Sequence, residues 1–423
     1  MRKSNFKVSK LAEAITPPEI IRLANEISEK INNGEKIYNL TIGDFNPQVF
    51  PIPELLKEEI IKAYNSRQTN YPPANGLPAL RKSISGFIKD KGGFNVDPEE
   101  IIIASGARPI IYSVYRTIVN PGDSVIYPVP SWNNEHYCLM NGAKPLIVET
   151  KPENNFLPSA EDLKPFIKEA KLVALCSPQN PTGTLFKKQQ LKDICDLIME
   201  ENYRRKDDER PLYLLLDQIY WILTHQDNVH YNPVDLTPEI KDYVVYVDGI
   251  SKCFAATGLR VGWSFGPPKV IKKMQAVILH MGAWAPRAEQ TGLGVFLSNK
   301  KAVDEYLANF KSQLYERLII IFNEFKKIKE EGFDVEAISP QGAIYLTVKI
   351  DIRGKKTPDG KVITTTEDIY NYILNDARIA TVPFHAFGTS KEFPWFRISV
   401  GTCTIENAKN AMESLKISLR KLK

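Results

Sequence analysis

The middle of the chain repeats one pattern: short runs of apolar, β-branched residues, each followed by a stretch whose apolar residues recur at helical spacing. Runs of this kind occur in EEIIIAS, DSVIYPV, AKLVALCS, PLYLLLD, DYVVYVDG and RVGWSFG. Several are apolar at consecutive positions, so both of their faces must be covered, as in strands of a parallel sheet flanked by crossover helices. A chain so patterned is constrained to an α/β architecture. Such sheets bind ligands beyond the C-terminal ends of their strands, which directs attention to the residues placed there.

From about residue 300 the pattern changes. A long helical run, AVDEYLANFKSQLYERLIIIFNEFKKI, is followed by two β-like segments, AIYLTVKI and WFRISVGT, which together predict a smaller α+β domain. The N-terminal segment carries a helix from Pro18 to Ile31 and is expected to return to that domain. At 423 residues the chain can form two domains. The expected division is 1–45 packing with the small domain, 46–298 as the large ligand-binding domain, and 299–423 as the small C-terminal domain. The charged stretch EENYRRKDDERP reads as a surface loop.

Charge and cysteine usage narrow the function classes. The 55 Lys+Arg against 50 Asp+Glu leave a formal charge of +5, and the basic residues are scattered, with one modest cluster in ISLRKLK. Nucleic-acid binding calls for a denser basic stripe. No apolar run reaches membrane-spanning length, so no membrane role is expected. Cys138, Cys176, Cys195, Cys253 and Cys403 show no paired spacing of a metal or redox site, which fits a reducing cytoplasm.

The strand ends hold the candidate chemistry. Asp217 closes LYLLL and Tyr220 follows in DQIY; a carboxylate there either caps a turn or pairs with a protonated ring nitrogen, while Tyr220 can bond an oxygen on the same ring. Asn180 in CSPQNPTG is a loop residue beside prolines or a further donor to that oxygen. Ser105, Gly106 and Ala107 end a strand and open an amphipathic helix, whose free N–H groups suit a phosphate. In DGISKCFAATGLRVGW, Ser251 and Arg260 flank Lys252 and can complete that anion site. Lys252 is a solvated lysine or, if burial and neighbouring cations lower its pKa, a nucleophile toward carbonyls. Trp132 in PVPSW offers a flat face to a planar ring or belongs to the core.

The motifs NYPPANGLPALR, SGAR, PVPSW, SPQNPTG, DQIY, SKCFAATGLRVGW and FRIS occur in an order that resembles the pyridoxal-phosphate-dependent aminotransferases of fold type I, class I and II, the aspartate aminotransferase-like group. The resemblance runs from about Leu40 to about Asn407. It implies a large domain with a mostly parallel seven-stranded sheet, a homodimer, and pyridoxal 5'-phosphate as cofactor. Lys252 would form the aldimine and shuttle the substrate proton, Asp217 would keep the pyridine nitrogen protonated, Tyr220 and Asn180 would contact the ring hydroxyl, and Trp132 would stack on the ring. Gly106, Ala107, Arg108, Ser251 and Arg260, with Tyr71 from the partner subunit, would hold the phosphate. Arg397 would clamp the substrate α-carboxylate, with the Gly43 backbone beside it.

The implied reaction moves the α-amino group of an L-amino acid to a 2-oxo acid, 2-oxoglutarate, with ping-pong kinetics. Two alternatives remain open: a C–S or β-elimination lyase on the same scaffold, and a non-catalytic aminotransferase-like regulatory domain. Three positions depart from the commoner pattern. Ala107 stands where a hydroxyl residue is frequent, Cys253 directly follows the lysine, and Arg287 does not match the arginine that would select a second substrate carboxylate. Phe45, His280, Trp284 and Tyr345 are the residues expected to judge the donor's side chain.

Overall fold

The computed structural model describes residues 8–423; residues 1–7, the start of the segment expected to pack with the small domain, lie outside the described residues. A short strand, β1 (Tyr38–Asn39), precedes seven strands that form the principal sheet: β2 (Ile101–Ala104), β3 (Ser124–Val129), β4 (Lys144–Glu149), β5 (Ala170–Cys176), β6 (Tyr213–Asp217), β7 (Val244–Gly249) and β8 (Gly262–Phe265). Their order is β2-β8-β7-β6-β5-β3-β4. Only β8 runs against its neighbours; the other pairings are parallel. The fold is therefore α/β, with the sheet covered on both sides. On β6, Leu214 and Leu216 enter one apolar cluster and Leu215 the other, so consecutive apolar residues are needed to fill two layers.

All six strands read from apolar runs are present. The seventh, β4, escaped that reading for a physical reason: it lies at the sheet edge, Val148 is its one buried residue, and Pro145 interrupts the run. An edge strand has less to bury and tolerates proline.

The C-terminal part carries β9 (Val335–Ala337), β10 (Tyr345–Ile350), β11 (Ile379–Ala380), β12 (Val382–Pro383) and β13 (Trp395–Ser399). Four of these form an antiparallel sheet in the order β12-β13-β10-β9. β1 pairs in parallel with β11, and the helix Glu19–Asn32 buries Leu23 and Ile27 in the same cluster as Phe310 and Ile398. A hydrogen bond from Lys30 to Asn375 adds a polar contact between these segments at 3.1 Å.

The helix Lys300–Glu330 spans both cores: Val303 and Leu307 pack against the large sheet, while Phe310 to Ile328 pack under the small one. One corrected expectation concerns EENYRRKDDERP. It starts as the last turn of the helix Lys188–Arg204, and Glu201 and Arg205 are buried together as an ion pair at 2.8 Å. Arg205 also donates to the Ala170 carbonyl at 2.8 Å, so the stretch ties this helix to the start of β5. Among the described residues, no helix is long and apolar enough to cross a membrane.

Candidate active site

Because β2, β5, β6 and β7 run in one direction, their following turns gather at one edge of the sheet, opposite the small sheet. A cavity of about 680 Å³ opens there, lined by Gly43, Asn180, Asp217, Lys252, Arg260 and Arg397 among others.

One corner is built from short local segments. Gly106 precedes the helix Ala107–Ile118 at φ +91° and makes no side-chain cap, so the first-turn N–H groups have no side-chain acceptor from it. Arg260, itself at φ +55°, donates to the carbonyls of Thr257 at 2.7 Å and Ser105 at 3.2 Å. A Cβ on Gly106 would lie 2.2 Å from Arg260 Nη2, so glycine permits both the turn and the arginine's position. Ser251, Ala107 and Arg108 line the same cavity, with the Arg108 guanidinium 5.4 Å from the centre of the Trp132 ring. Backbone donors, a hydroxyl and two guanidinium groups make this corner suited to a dianion.

In the middle, Lys252 Nζ donates to the Gly43 carbonyl at 2.5 Å and lies 5.9 Å from the ring centres of Phe45 and Tyr220. Burial lowers its pKa to about 8; Arg397, Arg108 and Arg260 push the same way, and Asp44 opposes them. The amine is thus available as a base near neutral pH. Asp217, at the end of β6, accepts from the Ile219 N–H at 3.1 Å. Burial raises its pKa to about 6, against the effects of that hydrogen bond and of Lys252. A buried carboxylate in this state gains from a cationic partner.

At the far corner Arg397, on β13, is almost fully buried. It donates to Asn180 Oδ1 at 3.0 Å and to the Thr41 carbonyl at 2.6 Å, and its guanidinium carbon sits 4.6 Å from the centre of the Tyr345 ring. Nε has no hydrogen-bond partner among the described residues. The Tyr345 hydroxyl is 2.6 Å from that of Tyr220, so the two corners meet through a pair of phenols. A Cβ on Gly43 would fall 2.8 Å from the Tyr345 hydroxyl, which explains the glycine.

Of the residues the sequence assigns to cofactor or substrate, all but Gly106 and Tyr71 line this cavity, and Gly106 adjoins it as the residue before Ala107. Tyr71 is 78% exposed, its ring lies 5.0 Å from that of Trp284 at a tilt of 58°, and it does not line the cavity of its own chain. Arg287 bonds Gln68 and the Tyr71 carbonyl instead of facing the cavity. Of the residues expected to judge the donor, Tyr345 lines the cavity and Phe45 lies beside Lys252, whereas His280 is exposed and Trp284 is engaged with Tyr71. Cys253 is buried and points to the Gly249 carbonyl at 3.5 Å, a packing role.

Sequence reasoning missed Asp44, which lines the cavity, accepts from Thr257 Oγ1 at 2.6 Å and acts on Lys252. The carboxylate next to Gly43 in TIGDF was the available signal. It also missed Ile20 and Ile21, which bring the N-terminal helix to the cavity wall.

The sequence model of the family described as aminotransferase class I and II matches residues 35–415. The chain belongs to the class I and II aminotransferases. It is an enzyme of amino-group transfer between amino and keto acids, in a family that generally depends on pyridoxal phosphate. This aminotransferase is 29% identical over 404 residues to the probable aspartate/prephenate aminotransferase of Rickettsia bellii (strain RML369-C), covering 93% of this chain and 94% of the relative. It is 28% identical over 428 residues to the aspartate aminotransferase of Rhizobium meliloti (strain 1021), covering 100% and 98%. The crystal structure of the aspartate aminotransferase from Rhizobium meliloti superposes with a TM-score of 0.88 at 26% identity, over 99% of this chain and 100% of that one. The aminotransferase expectation is borne out.

Proposed function

We propose that this aminotransferase binds pyridoxal 5'-phosphate in the 680 Å³ cavity and moves the α-amino group of an L-amino acid to 2-oxoglutarate in a ping-pong exchange. The donor set fits the cofactor at three points: the dianion corner of Gly106, Ala107, Arg108, Ser251 and Arg260 suits the phosphate, Asp217 suits a protonated ring nitrogen, and Lys252 lies between them. When bound, the cofactor supplies an electron-withdrawing ring that stabilises negative charge at the substrate Cα.

The chain's own residues would do the rest. Asp217 would accept the N–H of a protonated ring nitrogen, and a cation against it would lower its pKa. Tyr220 and Asn180 would hold the ring hydroxyl, and Trp132 would offer its face to the ring. Arg397, with the Gly43 backbone, receives the substrate carboxylate in a forked geometry that a lysine cannot copy. Bound this way, the substrate would present its Cα–H toward Lys252, whose amine would accept the proton and hold it for return.

The observation that carries this reading is the placement of Lys252, with its pKa lowered to about 8, in one cavity with Asp217 and Arg397. Lys252→Ala tests it. The variant is expected to lose steady-state transamination by at least about 10³-fold and to lose the visible absorbance of the lysine-bound cofactor; retained multiple turnover overturns the assignment.

Three further proposals accompany it. The exposed Tyr71 completes the phosphate corner of a partner subunit in a homodimer. The described part of the segment up to residue 45, with residues 299–423, forms a small domain that faces the large domain 46–298. The enzyme works in the cytoplasm, in keeping with its five free cysteines. Aspartate, the donor in the relatives' names, and an aromatic amino acid, suited to the Trp132 and Tyr345 rings, are the donors to compare.

A further inference from the structure

A second cleft, of about 810 Å³, opens between the segment 221–236, the first turn of the helix Lys188–Arg204 and the helix Lys300–Glu330. It shares no lining residue with the catalytic cavity. Phe94, Trp221 and Leu307 give it an apolar, largely aromatic floor. The Trp221 indole N–H is already bonded to Asp248 at 2.7 Å, so that residue offers the cleft only its ring.

Among the described residues, the buried polar groups of this cleft without a partner include two that can donate, on Asn232 and His230. Asn232 is 7% exposed, and its Oδ1 accepts from the Val234 N–H at 3.1 Å and from the Tyr246 hydroxyl. Its amide nitrogen, buried, meets no acceptor among the described residues. Both ring nitrogens of His230 are likewise buried without a partner among the described residues, and burial lowers its pKa to about 4, so the neutral ring keeps one N–H and one acceptor nitrogen. Lys311 lines the cleft from the long helix, partly buried, and forms no ion pair among the described residues. Burial lowers its pKa as well. Lys188 stands exposed at the mouth. The acids of the cleft do not neutralise Lys311: Asp304 is paired with Lys91, and Asp235 is exposed on the rim. A concave surface that combines an aromatic floor with a few unsatisfied polar groups has the form of a small-molecule site.

We propose that this cleft is a second binding site, selective for a small aromatic carboxylate. Its ring lies against Trp221 and Phe94, and its carboxylate is met by the Lys311 ammonium and the Asn232 amide. A compact inorganic anion can use the donors and not the aromatic floor.

Calorimetric titration of the cofactor-loaded enzyme with benzoate tests this, with wild type, Arg397→Lys, Lys311→Gln and Lys311→Arg run side by side. Two saturable events are expected in the wild type. Lys311→Gln should weaken one by at least about tenfold, and Lys311→Arg should preserve it within about threefold, since the charge-assisted contact is the larger part. Arg397→Lys should affect only the other event, so a failure here is separable from a failure of the active-site reading. A single event that Lys311→Gln leaves unchanged overturns the second site. Equal loss in Lys311→Gln and Lys311→Arg overturns the charge-based contact, and phosphate binding as tightly as benzoate at the Lys311-dependent event overturns the aromatic selectivity.

Discussion

At one end of the catalytic cavity the anion-binding groups come from two short segments, 105–108 and 251–260. At the other, Arg397 is held by Thr41 and Asn180, which lie 356 and 217 positions away in the chain. The local end depends on backbone conformation, with Gly106 and Arg260 both at positive φ. The assembled end depends on a buried charge whose partners arrive only when the small sheet and the N-terminal segment dock. The two ends should therefore fail differently: the first when a side chain is added, the second when a partner is taken away.

The largest effect is expected at the assembled end. Arg397→Ala leaves Asn180 Oδ1 and the Thr41 carbonyl without their donor and removes the clamp for the substrate carboxylate. Truncating a buried, hydrogen-bonded charge costs about 2–5 kcal/mol, so kcat/KM should fall by about 10²–10³-fold for every donor tested, with cofactor affinity changed far less. A donor-selective loss would show that Arg397 reads side chains instead of the common carboxylate.

Asp217→Asn separates stability from function at the point between the ends. Its folded pKa, about 6, lies above the ordinary carboxylate value of 3.8. In the cofactor-free protein the stability from this group is therefore present below pH 3.8 and lost as pH rises through about 6. Asparagine removes that loss, so above pH 6 the cofactor-free variant should melt higher, by the equivalent of about 1–3 kcal/mol, while turnover drops by about 10²-fold or more. Equal melting of the two proteins at pH 8 would argue against a buried, destabilising carboxylate.

Gly106→Ala probes the local end. The added Cβ, 2.2 Å from Arg260 Nη2 on a backbone at φ +91°, must displace the guanidinium or the turn. The strain is about 1–3 kcal/mol, so cofactor affinity should weaken by about 10–100-fold while KM for the amino acid changes little once cofactor saturates. The smallest effect is expected where the ends meet. Tyr345→Phe removes the 2.6 Å contact to Tyr220, worth about 1 kcal/mol, and should lower kcat/KM by about fivefold, without loss of cofactor.

These differences also govern how much could be read before folding. Lys252, Asp217, Ser251 and Arg260 were legible because each follows an apolar strand within a short motif. Arg397 was legible only through the resemblance of FRIS, and the residues that hold it were not: nothing in LTIG announces that the Thr41 carbonyl will face a guanidinium. β4 was missed because an edge strand need not be apolar on both faces. Glu201 and Arg205 were taken for surface charges because a run of acids and bases looks solvated until one pair is enclosed. Lys311 and Asn232 carry no motif, and their unpaired donors become visible only when the long helix closes over the segment 221–236.

The sequence by itself determined the α/β sheet, the edge at which ligands gather and the local anion corner, since apolar periodicity and turn chemistry act over a few neighbouring residues. Tertiary structure alone decided the depth at which Lys252 and Asp217 are buried, and hence the pKa values near 8 and 6 that suit them to chemistry. It also decided which distant carbonyl and amide groups hold Arg397. Desolvation and charge pairing depend on what surrounds a group in space, and that is set only when the two cores, bridged by the helix Lys300–Glu330, come together.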